Sequence, residues 1–243
     1  MFIRAIVSFI LGFIAMFSYA DCDIQDQVLG AHYRIITTDH LTGRQLTRDF
    51  TLWRDGHRVA HQYHTKGVTE LWEKMSNGKL RTVHYYDLYH RGIEYEPYEI
   101  NISHSENDWQ LKYQLLSESY IKTLTKRATE GSVCEGKTEY SHAFKTLSVQ
   151  LEWLDQLQLA KIYTEESSTK TVKWELVDVI NDKATIKAAF SLREDFKTTD
   201  YTDVGDNESD PFLMRMINLG HISHGASGFY DQSGKAIGLG HKH

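Results

Sequence analysis

Between Arg48 and Ile100 the chain alternates short β-prone runs with tight-turn dipeptides, and this stretch constrains the fold more than any other. Asp55-Gly56 and Asn77-Gly78 suit type I′ hairpin turns, whose two central residues need φ > 0. The flanking runs, residues 50–54, 57–64, 68–75, 79–87 and 92–96, are rich in β-branched and aromatic side chains. An antiparallel meander is predicted. Its alternation is incomplete: Phe50 and Leu52 share one strand face while Trp53 takes the other, and Val83 and Tyr85 oppose Leu80, His84 and Tyr86. A sheet with one face in water alternates cleanly. Aromatic residues on both faces predict a sheet covered on each side, or a curved sheet around an apolar hollow. Trp53, Trp72, Tyr85 and Tyr86 are the candidate ligand-binding side chains of that hollow.

Upstream, residues 22–29 read as a short helical turn, 32–38 as a strand, 40–44 as a turn, and 45–53 as the returning strand. Downstream the period changes. Trp109, Tyr113, Leu116, Tyr120 and Leu124 recur at three and four, which predicts a helix between Ser105 and Ala128 with Ser105 as its cap, Gly131 as its stop, and a break at Ser117 and Ser119. The bland account of that stripe is core packing onto the sheet, and it is preferred to a cofactor site. Leu147, Val149, Leu151 and Trp153 then alternate with polar residues as a half-buried strand, and 161–164 reads as another. Residues 172–180 and 183–190 are predicted to form a hairpin across Asn181-Asp182, with Ala184, Ile186, Ala188 and Phe190 inward. Ser209 or Asp210 as cap, Pro211 in the first turn and Gly220 at the end predict a short helix. A last hairpin is read over 228–239. The predicted class is mainly β (α+β): a curved antiparallel sheet or half-barrel with a central helical segment and a short C-terminal helix.

The first twenty residues are set apart. Arg4 precedes an apolar run over 5–17, and Ser18-Tyr19-Ala20 places small residues where a signal peptidase reads. That run is too short to span a bilayer. Residues 1–20 are therefore read as a signal peptide cleaved after Ala20, and 21–243 as one exported β-rich domain, periplasmic or secreted. Asp21 before Cys22 argues against a lipobox. Removing the segment takes away one arginine and no acid, so the net charge moves from −6 to −7. With a mildly acidic balance and no Lys/Arg cluster of the kind that tracks phosphates, nucleic acid is not expected as a partner. The chain has two cysteines, Cys22 and Cys134, and in an exported protein they are expected to form one disulfide.

Thirteen histidines are the clearest chemical anomaly. His57, His61, His221, His224, His241 and His243 are the candidate ligands for a metal or haem iron. No HExxH helix or recognised ligand spacing accompanies them, and no cofactor is expected. Asp200, Asp203, Asp206, Glu208 and Asp210 lack the glycine and glutamate of an EF-hand, and acids before a helix suit its N-terminus. No GxSxG, P-loop, GxGxxG or SxxK motif is present, so no catalytic residue is nominated.

The segment Phe50-Thr51-Leu52-Trp53-Arg54-Asp55-Gly56, with Ser76-Asn77-Gly78-Lys79-Leu80 running on to Tyr85-Tyr86-Asp87, resembles hairpins of the periplasmic lipoprotein-carrier fold (LolA/LolB-like). The resemblance implies a curved sheet half-wrapping an apolar cavity lidded by helices. The expected function is a non-enzymatic binding or carrier protein that holds an apolar small molecule, a lipid or lipoprotein, or another exported protein in the concave face. The alternatives are a His-rich metal- or haem-handling protein, and a hydrolase whose site assembles only in space.

Overall fold

The computed structural model describes residues 28–95, 106–131, 136–204 and 209–218. Its meander is the expected one. Strands β1 (Leu29–Asp39), β2 (Gln45–Asp55), β3 (Arg58–Tyr63), β4 (Val68–Lys74), β5 (Leu80–Tyr86) and β6 (Arg91–Tyr95) pair antiparallel in sequence order. The two sharp turns differ in type from the expectation. Asp55 pairs with Arg58, so the central residues are Gly56 and His57, and only Gly56 has positive φ (+60°), the type II′ pattern. At the second turn Met75 N–H bonds Lys79 O (2.8 Å) around a three-residue loop whose last member, Gly78, has φ +80°. That is the loop in which a type I turn is followed by a left-handed glycine. Glycine carries the strained φ in both cases; Asp55, His57 and Asn77 do not.

After the meander come two helices, α1 (Glu106–Gln114) and α2 (Glu118–Ile121). The predicted 105–128 helix breaks where Ser117 caps α2 by accepting the Tyr120 N–H (3.2 Å). It also ends early: β7 (Thr125–Glu130) is an edge strand where a last helical turn was expected. Ser117→Ala removes the cap and is expected to lower stability by about 1 kcal/mol, read from a urea midpoint.

Strands β8 (Lys137–Ala143), β9 (Leu147–Leu154), β10 (Leu159–Ser167) and β11 (Lys170–Ile180) then run back antiparallel until β11 lies against β1. The expected hairpin after β11 does not form. Residues 183–190 belong to α3 (Lys183–Glu194), because Asp182 accepts the Thr185 N–H at 2.8 Å as an N-cap, and Ile186 and Phe190, four apart, both bury. Helix α3 leads to β12 (Lys197–Asp200), which pairs parallel with β6. The result is one open, curved twelve-stranded sheet in the order β12-β6-β5-β4-β3-β2-β1-β11-β10-β9-β8-β7. Helix α4 (Pro211–Asn218) follows, and Asp210 caps it by accepting the Phe212 N–H (2.9 Å). Cys22, Cys134, Ser105, Gly220, the 228–239 hairpin and residues 22–27 of the expected 22–29 turn lie outside the described residues, and Leu29 at the end of that turn already belongs to β1.

Something does pack on each side of the meander. Under α3 lie Trp53, Ala60, Leu71, Val83 and Tyr85 with Ile186 and Phe190. The opposite face carries two apolar groups. One joins Tyr33, Phe50, Leu52, Val59 and Trp72 to Leu115, Leu116 and Ile121 and runs on under β9–β11. The other joins Tyr86, Ile93 and Tyr95 to Phe212, Leu213 and Met216 of α4.

Candidate functional site

Between those two apolar groups, on the same face, the strand register assembles a polar patch. His61 pairs with Glu70, Glu70 with His84, and His84 with Ile93, making one row across β3–β6. The adjacent row is Val59, Trp72, Thr82 and Tyr95. Successive same-face residues in a strand are two apart, so the rows are neighbours on one surface. His61, Glu70, Trp72, Thr82 and His84 are all at least nine-tenths buried.

Helix α1 covers this patch at one end. Lys112 places its Nζ 4.4 Å from the centre of the Trp72 ring, and its carbonyl accepts the His61 Nε2–H at 2.7 Å. The ring of His61 also meets Phe50 and Trp72 edge-on, with centroids 5.3 and 4.8 Å away. Tyr95 lies against the His84 ring (4.6 Å) and stacks on Tyr201 (5.0 Å) at the other end. Burial first, then the Lys112 charge, pushes His61 down to about 3, so the ring is neutral and its Nδ1 is an acceptor. Burial also lowers His84, opposed by the Glu70 charge. Lys112 is pulled down to about 8 by burial, while Glu70 and Asp108 favour its charged form.

Four buried polar atoms in these rows have no hydrogen-bond partner among the described residues: His61 Nδ1, Glu70 Oε2, Trp72 Nε1 and Thr82 Oγ1. Folded proteins rarely leave such atoms unpaired, because each loses its water on burial. Here the orphans are neighbours in a two-row grid.

The pH dependence follows from His61 and His84. Their folded values lie below the unfolded value near 6.5, so the unfolded chain binds more protons as pH falls below that value. Stability is therefore expected to decline as pH falls below 6.5, for the His61 contribution down to about 3, by at most about 1.4 kcal/mol per pH unit per histidine. Urea midpoints at pH 7 and pH 4.5 check this, and His61→Phe should flatten the profile.

The sequence-nominated residues divide. Trp72 and Tyr86 are on the patch face, while Trp53 and Tyr85 lie under α3 on the other side, so the four do not line one hollow. All are at most 8% exposed and packed. His57 is exposed beside Glu73 (3.2 Å), apart from the buried His61. His221, His224, His241 and His243 lie outside the described residues. Among the described residues no group of three or more His, Cys, Asp or Glu side chains is placed to hold a metal ion. Of the acidic segment, Asp210 pairs with Arg91 (2.8 Å), and Asp206 and Glu208 lie outside the description. Glu70, Thr82, His84 and Lys112 were missed as site residues. A signal was present: Glu70 shares strand parity with Val68 and Trp72, Thr82 and His84 share it with Leu80 and Tyr86, and Lys112 falls three residues after Trp109 on an otherwise apolar helix stripe.

No protein-family model matches the chain, and no match is found among curated proteins. Solved structures show a distant likeness. PNGF-II shares 9% identity over 71% of this chain at a TM-score of 0.39, and this chain spans about a third of its length (31%). A Vibrio parahaemolyticus protein domain described as outer membrane lipoprotein-sorting shares 10% identity over 71% of this chain and 95% of its own, at a TM-score of 0.32. MucB shares 9% over 66% of this chain and 56% of its own, at 0.30. All three likenesses are weak, and a protein described as lipoprotein-sorting is among those that share them. No helix among the described residues is long and apolar enough to cross a membrane.

Proposed function

We propose that this chain is an exported binding or carrier protein, without chemistry of its own, that takes up an apolar ligand bearing a polar group on the face covered by α1, α2 and α4. One observation carries the reading: a buried polar patch with unpartnered atoms lies between two apolar clusters on a single sheet face. An interior of that kind matches an amphipathic molecule, with hydrocarbon against the clusters and the polar group over the patch. The leader-like segment over 1–20 supports export to a periplasmic or secreted location, where a Cys22–Cys134 disulfide is favoured.

Native mass spectrometry of the mature protein from its own host's export compartment tests this. The expected result is a mass excess of a few hundred daltons, lost on denaturation and recovered in an organic extract. No excess, or an excess that carries a haem absorbance band or is a metal ion, would contradict it, and a co-purifying exported protein at fixed stoichiometry would replace the ligand with a protein partner.

A further inference from the structure

We infer that the group bound over the patch is a neutral hydrogen-bonding head, a diol or a primary amide on a hydrocarbon chain, and not an anionic or cationic one. This inference rests on the carrier reading and specifies its ligand.

The inventory of orphan atoms decides the chemistry. His61 donates through Nε2 to the Lys112 carbonyl, so its Nδ1 offers a lone pair only. Glu70 Oε2 is likewise an acceptor, and the charge of Glu70 is felt by His84 and Lys112 on either side. Trp72 Nε1 is a donor only, and Thr82 Oγ1 can donate or accept. A head that satisfies them donates to His61 and Glu70 and accepts from Trp72. Hydroxyl pairs and carboxamides do both.

A carboxylate or phosphate has acceptors alone at neutral pH and would sit beside the buried Glu70 carboxylate. Lys112 does not reverse this, because Glu70 and Asp108 already act on its charge. An ammonium head would satisfy the two acceptors, but it would leave Trp72 Nε1 unpaired and meet the Lys112 charge. Desolvated like charges in one site are strongly unfavourable.

The test is titration of the full mature chain, freed of lipid, with monododecanoylglycerol, dodecanamide, dodecanoate and dodecylamine below their micelle concentrations at pH 7.5, read by calorimetry. The glycerol ester and the amide are expected to bind at least about tenfold more tightly than the charged probes. Trp72→Phe, which keeps an aromatic ring and loses the N–H, and Thr82→Val should each weaken the neutral probes about tenfold. Glu70→Gln should narrow the gap to dodecanoate. Equal or tighter binding of dodecanoate or dodecylamine, or neutral-probe binding indifferent to Trp72→Phe and Thr82→Val in folded protein, would overturn the inference and leave the carrier reading intact. Failure of all four probes to bind would instead remove the carrier reading itself, with water as the occupant of the patch.

Discussion

Arg54→Ala is expected to lower the unfolding free energy by about 4 kcal/mol. Arg54 is fully buried, and its guanidinium donates to Tyr113 O (2.6 Å), Leu157 O (2.7 Å) and Gln158 O (3.0 Å) while lying 3.9 Å from the Tyr113 ring centre. One residue of β2 thereby holds the end of α1 and the β9–β10 turn, elements supplied by distant parts of the chain. Burial lowers its pKa to about 10, still well above neutral, so the group stays charged. Truncation leaves buried carbonyls without their donor and a cavity beneath Tyr113. Arg54→Lys should recover only part of the loss, because an ammonium cannot reproduce the planar fork. Urea unfolding of the variants reads this directly, and a loss below about 1 kcal/mol would contradict it.

Arg193→Ala is expected to cost about 3–5 kcal/mol for a related reason. From the last turn of α3 its Nε and a terminal nitrogen meet the two Asp87 oxygens at 2.8 and 3.0 Å, and Arg193 is only 5% exposed. Thr69 also donates to Asp87 (2.8 Å), so the pair ties α3 to the end of β5 and to β4. Removing the arginine strands a half-buried carboxylate. The double variant Arg193→Met, Asp87→Leu should therefore be more stable than Arg193→Ala, and the double-mutant cycle measures the coupling. Loosening α3 uncovers Trp53 and Tyr85, so near-ultraviolet circular dichroism should change with the stability.

The meander was legible because glycine turns and short β-branched runs are local signals, and the structure places four of the five runs within a residue of the bounds of β3–β6 and the fifth inside the longer β2. Aromatics on both strand faces also pointed to the two-sided packing. What misled was ambiguity of period. Ala184, Ile186, Ala188 and Phe190 satisfy a strand's alternation, yet Ile186 and Phe190 also satisfy a helix's four-residue step, and the Asp182–Thr185 cap decides between them. Thr125–Glu130 had no apolar alternation to find, because β7 is an exposed edge whose charges discourage further pairing. The closure of β11 onto β1 and of β12 onto β6 depends on contacts far apart in sequence, which no window reveals.

The candidate site was half legible for the same reason. Trp72 and His61 stood out by residue type, but a polar residue at apolar parity is noticed only when register sets it beside others. Register turns Glu70, Thr82 and His84 from isolated exceptions into a patch. The same register separates Trp53 and Tyr85 from Trp72 and Tyr86.

The central claim, that the α1/α4 face and not the α3 face holds an apolar ligand, is tested most directly by photocrosslinking. The mature protein would be incubated with a neutral-headed alkyl chain carrying a diazirine, irradiated, and mapped by peptide mass spectrometry. Adducts are expected on Trp72, Leu115, Leu116, Tyr95 or Met216, with the α3-facing Trp53, Tyr85 and Phe190 unlabelled. Labelling confined to the α3 face, or spread evenly over exposed residues such as Leu41 and Leu192, would contradict the account.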